Sequence, residues 1–120
     1  MADSLNVAKK YVIKYETSGW FSNNGTEGLH HMFNVLDIDY NSQTDYPEFE
    51  RDFEVEREAI LKGIETLKAI DREEETDVDI EDLCKALDAE NMTLNELIQC
   101  FEFIVNKSDQ KNGTILISFF

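Results

Sequence analysis

Residues that mark catalytic and redox sites are scarce in this sequence. Only two cysteines and two histidines occur in 120 residues. Cys84 and Cys100 have neither metal-ligand nor Cys-x-x-Cys spacing, and His30 and His31 are adjacent. The sequence also has no glycine-rich phosphate loop and no nucleophile elbow. We therefore expect a protein that is not an enzyme, with both thiols reduced and located within helices.

Proline and long apolar runs are equally scarce. The single proline, Pro47, leaves little room for a linker, and 120 residues with 42% hydrophobic content suit one domain with one core. No apolar run is long enough to span a bilayer, and residues 1–5 lack the basic and apolar regions of a secretory signal. We expect a single domain over residues 1–120, located in the cytoplasm.

Basic residues are outnumbered by acidic ones. The sequence has 11 lysines and arginines against 26 aspartates and glutamates, which gives a net charge of −15. Such a charge repels nucleic acid and anionic membranes, and it attracts basic partners or divalent cations. We therefore expect a basic protein or a cation as the partner, with no direct contact to nucleic acid.

Oxygen-bearing side chains recur on alternate steps of residues 37–48. A Ca²⁺ ion takes about six to eight oxygen ligands, and a loop of about twelve residues wraps it only if every second side chain points inward. The closing glutamate reaches back with both carboxylate oxygens, and one ligand is a backbone carbonyl. The candidate metal ligands of this first loop are Asp37, Asp39, Asn41, the carbonyl of Gln43, Asp45 and Glu48.

The layout repeats 34 residues later, in residues 71–82. An internal repeat favours two related loops, although an acidic helix start near the positive end of the helix dipole is an alternative explanation of this run. The closing residue is an aspartate, one methylene shorter than glutamate, which suits Mg²⁺ or weak Ca²⁺ binding. The weaker candidate ligands of this second loop are Asp71, Glu73, Glu75, Asp77, Asp79 and Asp82.

Both stretches resemble the calcium loops of the EF-hand family, because apolar residues also flank them at helical spacing. Phe33 precedes the first loop on an entering helix, and Phe53 follows it on an exiting helix. The sixth step is Ser42 in one loop and Thr76 in the other, where the family has a glycine with positive φ. We expect these departures to reduce the affinity for metal.

The resemblance implies a mostly α fold of helix–loop–helix repeats with short strand pairing between the loops. Ile115 lies in a strand-like run and would pair with Val78, at the eighth step of the second loop; Thr44 is the alternative partner of Val78. The predicted units are an N-terminal helix and turn in residues 1–25, a first repeat in 27–56, a second in 60–90, and an incomplete third, without metal, in 93–120.

Apolar residues at intervals of three and four predict the individual helices. Thr93 and Glu96 are placed as a capping box at the start of the last one. The predicted helices cover residues 4–16, the stretch up to Leu36, the stretch from Phe49 through Phe53 to Leu67, residues 80–87 and residues 93–105.

Two functions fit these observations. The EF-hand resemblance implies a non-enzymatic, calcium-responsive or light-chain-like protein that grips a basic amphipathic helix of a partner. The alternative is an acidic helical inhibitor of the immunity type, which blocks a basic nucleic-acid-binding surface by imitating phosphate charge. The alternative needs no metal and explains the net charge directly, but it does not explain the loop spacing.

Overall fold

The protein combines four helices with a five-stranded sheet in the part of the chain described by the computed structural model, residues 5–10, 14–17, 21, 26–42 and 52–119. The strands are β1 (Leu5–Lys10), β2 (Lys14–Thr17), β3 (Asn41–Ser42), β4 (Asp52–Glu56) and β5 (Thr114–Phe119). The helices are α1 (Thr26–Val35), α2 (Arg57–Asp71), α3 (Ile80–Ala89) and α4 (Leu94–Lys107).

The sheet is antiparallel and has the order β2-β1-β5-β4-β3. Its central strand is β5, in which Ile117 pairs with Val7 of β1 and Ile115 pairs with Val55 of β4. These four side chains are buried and belong to the hydrophobic core. β-Branched residues at every second position suit such a strand, because they pack on one face of a pleated sheet.

The helices cover the core face of the sheet. α2 packs on α4, α1 packs on α3, and both β1 and β5 contact α4. Along α4, Leu97, Phe101 and Ile104 follow the three- and four-residue spacing of one helical face, and all three are fully buried. Each such side chain stabilises the fold by roughly 1.5–3 kcal/mol through its removal from water.

A set of hydrogen bonds from one arginine fixes the start of α2 against the end of α4. The Arg57 guanidinium, at the start of α2, donates to the carbonyls of Val105, Asp109 and Asn112 and to the Ser108 hydroxyl at 2.6–3.3 Å. Arg57 therefore ties α2 to the turn between α4 and β5.

Gly28 of α1 lies against the carboxylate of Glu90, which is buried at the end of α3. A Cβ at residue 28 would lie 2.5 Å from Glu90 Oε2. The absence of a side chain at Gly28 is thus what lets α1 approach α3 so closely.

The expectation that helices provide most of the regular structure is confirmed. α1, α3 and α4 lie where apolar spacing places them, and the predicted capping box is present: Thr93 accepts from the Glu96 N–H, and Glu96 accepts from the Thr93 N–H. The sheet, however, is larger than the short pairing between loops that we predicted. Its central strand confirms the strand predicted near residues 114–120.

One predicted helix is wrong, and another is wrong in its first part. Residues 4–16 include β1 and β2 instead of a helix, because the alternating residues Leu5 and Val7 face the core and pair with β5. The helix predicted from Phe49 through Phe53 to Leu67 is confirmed only in its second part, since residues 52–56 form β4, with Val55 buried. Helix α2 begins only at Arg57.

Candidate functional site

The site begins where α1 ends, at Asp37. The Ile38 N–H donates to the Phe33 carbonyl and the Asp37 N–H to the Asn34 carbonyl, while Asp37 has a φ of 57°. This pairing, with a residue of positive φ after the last turn, is a Schellman motif. It reverses the chain sharply and leaves the Asp37 side chain exposed.

The residues after this turn alternate between the core and solvent. Ile38 is buried in the core. Tyr40 hydrogen-bonds to His30 Nδ1, and its ring lies 5.4 Å from that of Phe33. Because Ile38 and Tyr40 hold this stretch against α1, Asp39 between them is exposed.

Small side chains on α2 form the floor of the site. Ala59, Gly63 and Thr66 follow helical spacing, and Gly63 is buried. A Cβ at Gly63 would lie 3.1 Å from Ile38 Cδ1 and 3.4 Å from Phe101 Cε2. Gly63 therefore lets Ile38 and Phe101 pack close to the backbone of α2, and Ala59, Gly63 and Thr66 line a depression beside the end of α1.

The loop between α2 and α3 forms the remaining wall. α2 also ends in a Schellman motif, with Glu73 at a φ of 60°. The Asp79 carboxylate accepts from the Asp82 N–H at 3.2 Å and caps α3. Between them, Val78 packs on the core while Asp77 is exposed.

Arg72 and Glu74 pair on the outside of this loop. The guanidinium donates to both Glu74 carboxylate oxygens, at 2.8 and 3.2 Å. Arg72 holds the pKa of Glu74 below its usual range, first through this hydrogen bond and then through charge attraction. Both side chains are exposed, so we expect the pair to contribute little to stability.

Together these segments enclose a groove of about 940 Å³, which we call the acidic groove. It has an apolar floor, and its polar rim carries five carboxylates against one lysine, Lys62. The apolar lining consists of Val35, Leu36, Ile38, Ala59, Gly63, Ala69 and Val78, and the acidic lining of Asp37, Asp39, Glu56, Glu65 and Asp77; Asn34, Thr66 and Thr76 complete it.

The acidic groove brings together residues from both predicted metal loops, namely Asp37 and Asp39 from the first and Asp77 from the second. Asn41 lies in β3 and is exposed. Gln43, Asp45 and Glu48, together with Thr44, lie outside the described residues. Among the residues that are described, no group of three or more His, Cys, Asp or Glu side chains is placed to hold a metal ion.

The predicted ligands of the second loop lie along the stretch from the end of α2 to the start of α3. Asp71, Glu73, Glu75, Asp77 and Asp82 are exposed, and Asp79 caps α3. The predicted pairing of Val78 with Ile115 is wrong, because Val78 lies in a bend, where its N–H donates to Thr76 Oγ1, while Ile115 pairs with Val55. The alternative partner, Thr44, lies outside the described residues.

The positive φ expected at the sixth step of each loop is also absent. In the described part of the chain, the non-glycine residues with positive φ include Asp37 and Glu73 but neither Ser42 nor Thr76. Asp37 is the first step of its loop, whereas Glu73 is the third step of the other. The two loops are therefore offset by two residues where they leave their helices, which a structural repeat would not show.

The two cysteines differ in exposure. Cys100 is fully buried in α4, and burial raises the pKa of its thiol well above the usual range. Cys84 is exposed on α3. Both lie within helices, as predicted.

The sequence did not predict several of the residues that line the acidic groove. Val35, Ala59 and Ala69 carry no chemical signature, and Lys62 looks like any exposed lysine. The usable signal was the helical spacing of small residues at positions 59, 63 and 66, which breaks the apolar face of α2.

No helix of the described residues has the length and apolar character needed to cross a membrane. A scan against protein-family models, a search of curated proteins and a search of solved structures each found no match to this chain. A functional proposal must therefore be based on the chemistry of the acidic groove.

Proposed function

We propose that this protein is a non-enzymatic binding protein that takes a basic amphipathic helix of a partner protein into the acidic groove. The observation that carries the proposal is the combination of an apolar floor with a rim of five carboxylates and one lysine. A helix with apolar residues on one face and lysine or arginine beside them matches both features.

Charge supports the choice of a basic partner. The rim carboxylates Asp37, Asp39 and Asp77 are exposed, so they are available to a bound cationic side chain. They add to a net charge of −15, which increases the rate at which basic partners arrive and disfavours acidic ones.

The apolar floor supports a protein segment over a free cation. Val35 and Val78 are half-buried and pack on the core, so they present apolar surface at fixed positions. Contact between that surface and the apolar face of a helix would provide affinity that salt does not screen.

A titration with a synthetic helical peptide, leucine on one face and lysine on the other, tests the proposal. A groove variant, Asp37→Asn/Asp39→Asn/Asp77→Asn, should bind about tenfold more weakly, because it loses rim charges that contact the peptide. Asparagine at residue 37 is compatible with positive φ, so the turn after α1 should persist. Fluorescence anisotropy of the labelled peptide measures the affinity.

The matched control is Glu73→Gln/Glu75→Gln/Glu81→Gln, which removes the same charge from exposed positions outside the groove lining. Its affinity should stay within about threefold of the parent chain, since only long-range attraction is reduced. Equal losses in both variants would contradict a binding site in the groove. Thermal unfolding of each variant checks that the fold is intact.

A second candidate function has its own supporting observation. Residues 71–82 carry eight acidic side chains, all exposed, and one arginine. Such a surface suits an acidic inhibitor that covers a basic nucleic-acid-binding surface. In that case the control variant above would lose more affinity than the groove variant, and binding would fall by orders of magnitude between low and physiological salt.

Calcium binding by residues 37–48 stays a prediction from sequence. Its supporting feature is the set of alternating oxygen ligands closed by Glu48. Weaker binding of Ca²⁺ or Mg²⁺ by residues 71–82 also stays a prediction from sequence.

A further inference from the structure

A second groove runs along the other side of α2, between α2 and α4. It has a volume of about 350 Å³, and we call it the balanced groove. Leu61, Ile64 and Val105 provide its apolar surface. Leu61 is 43% exposed, which is unusual for a large hydrophobic side chain in the described part of this chain.

The charges around the balanced groove cancel. Lys62 and Lys68 line it together with Glu65 and Glu102. Lys68 Nζ lies 3.5 Å from Glu102 Oε2, so one of the two possible charge pairs is already formed across the groove. A surface without net charge stands out on a chain with a net charge of −15.

We infer that the balanced groove is the contact between two copies of this chain. In a symmetric dimer the same patch lies on both sides of the interface, so the patch must be complementary to itself. Two lysines and two glutamates around an apolar centre meet this condition, because lysines of one copy can face glutamates of the other. A strongly basic or strongly acidic partner would instead meet like charges.

The chemistry of the patch sets the expected strength of the contact. Eight residues line the balanced groove, whereas a stable interface takes roughly 20–30 residues on each side, so the contact should give dimers only at high protein concentration. Two chains of charge −15 also repel each other outside the patch. Added salt screens this repulsion, so self-association should strengthen as salt rises.

Sedimentation equilibrium of the full chain, over a series of concentrations at about 0.05 M and 0.5 M salt, tests the inference. The parent chain should form dimers, and more of them at the higher salt. Leu61→Asp should weaken the dimer about tenfold or more, since it places a charge on each side of a symmetric apolar contact. Because Leu61 is exposed, the variant should fold normally.

Ile80→Asp is the matched control, because Ile80 is 48% exposed at the start of α3 and does not line the balanced groove. It should dimerise like the parent chain. A parent chain that stays monomeric at every concentration and salt would overturn the inference. So would a dimer that survives Leu61→Asp or that is lost in Ile80→Asp. None of these outcomes bears on the acidic groove, since the peptide titration is done at low protein concentration.

Discussion

The two grooves on either side of α2 have similar floors and different rims. Half-buried valine lines both, Val35 and Val78 in the acidic groove and Val105 in the balanced groove, and Lys62 and Glu65 belong to both. The acidic groove has five carboxylates against one lysine, whereas the balanced groove has two of each charge. Apolar surface alone would therefore not distinguish their partners.

We expect the charges on the rim, and not the apolar floor, to decide which partner each groove binds. On a chain of charge −15, an acidic rim should favour a cationic partner, and a second copy should meet the least repulsion at a neutral rim. Substitutions that act on one rim or one floor at a time should separate the two activities.

The largest effect should come from the same substitution made in each groove. Val35→Lys adds a cation to the acidic groove and removes an apolar contact, so peptide affinity should fall about tenfold or more. Val105→Lys should leave peptide affinity within about twofold and weaken self-association about tenfold instead. Both valines are half-buried and pack on the core, which makes them matched. Parallel losses in anisotropy and sedimentation would mean that the grooves act as one surface.

A change at Lys62, which lines both grooves, should change peptide affinity and self-association in opposite directions. Lys62→Glu removes the one basic group of the acidic groove, so peptide affinity should rise about fivefold. The same change gives the balanced groove a net negative charge, so dimers should weaken by a similar factor. Lys85→Glu, exposed on α3 outside both grooves, is the control for net charge. A shift of both activities in one direction would contradict the distinction between the rims.

Calcium should affect the acidic groove and not the balanced one. Metal-stripped protein should bind about one Ca²⁺ in a calorimetric titration, and Glu48→Gln should remove most of that heat. A bound ion would neutralise Asp37 and Asp39, so peptide affinity should fall about two- to fivefold on adding calcium. Asp82→Asn, in the second loop, should leave the titration unchanged. No heat at millimolar calcium would remove the metal from the proposal.

The smallest effect on binding should come from the turn that carries Asp77 to the acidic groove. Glu73 adopts a φ of 60°, which glycine tolerates and a side chain disfavours by roughly 1–2 kcal/mol. Glu73→Gly should therefore raise the free energy of unfolding by about 1 kcal/mol and leave both grooves active. Glu73→Gln removes the charge but keeps a side chain at this φ, so it should not raise the free energy of unfolding. Urea unfolding measures the free energy of unfolding of both variants. Equal values for the two would contradict backbone strain at Glu73.

Periodicity predicted the parts of the fold in which one face of a helix dominates. Thr93 with Glu96 located the start of α4, and Leu97 to Ile104 defined its buried face. Periodicity gave the wrong element at Leu5 and Val7, because a short apolar stretch fits helical and alternating spacing equally well. Pairing with β5, more than one hundred residues away, decided in favour of a strand.

The acidic groove was predictable only in part. Asp37, Asp39 and Asp77 were selected from sequence as metal ligands, and all three line the groove. Their neighbours Val35, Ala59 and Lys62 join them only because α1, α2 and the loop after α2 meet in space. No local sequence pattern predicts that these three segments come together, since small residues on a helix face are compatible both with close packing and with an open groove.

The position of β5 in the sheet also bears on the order of events during synthesis. β1 with β2, and β3 with β4, can pair as soon as each has been made. Neither pair contacts the other in the sheet without β5, which follows all of them in the chain and separates them. A nascent chain therefore carries two unfinished sheet edges until Thr114–Phe119 has emerged from the ribosome, and during that interval the exposed edges are open to pairing with other chains.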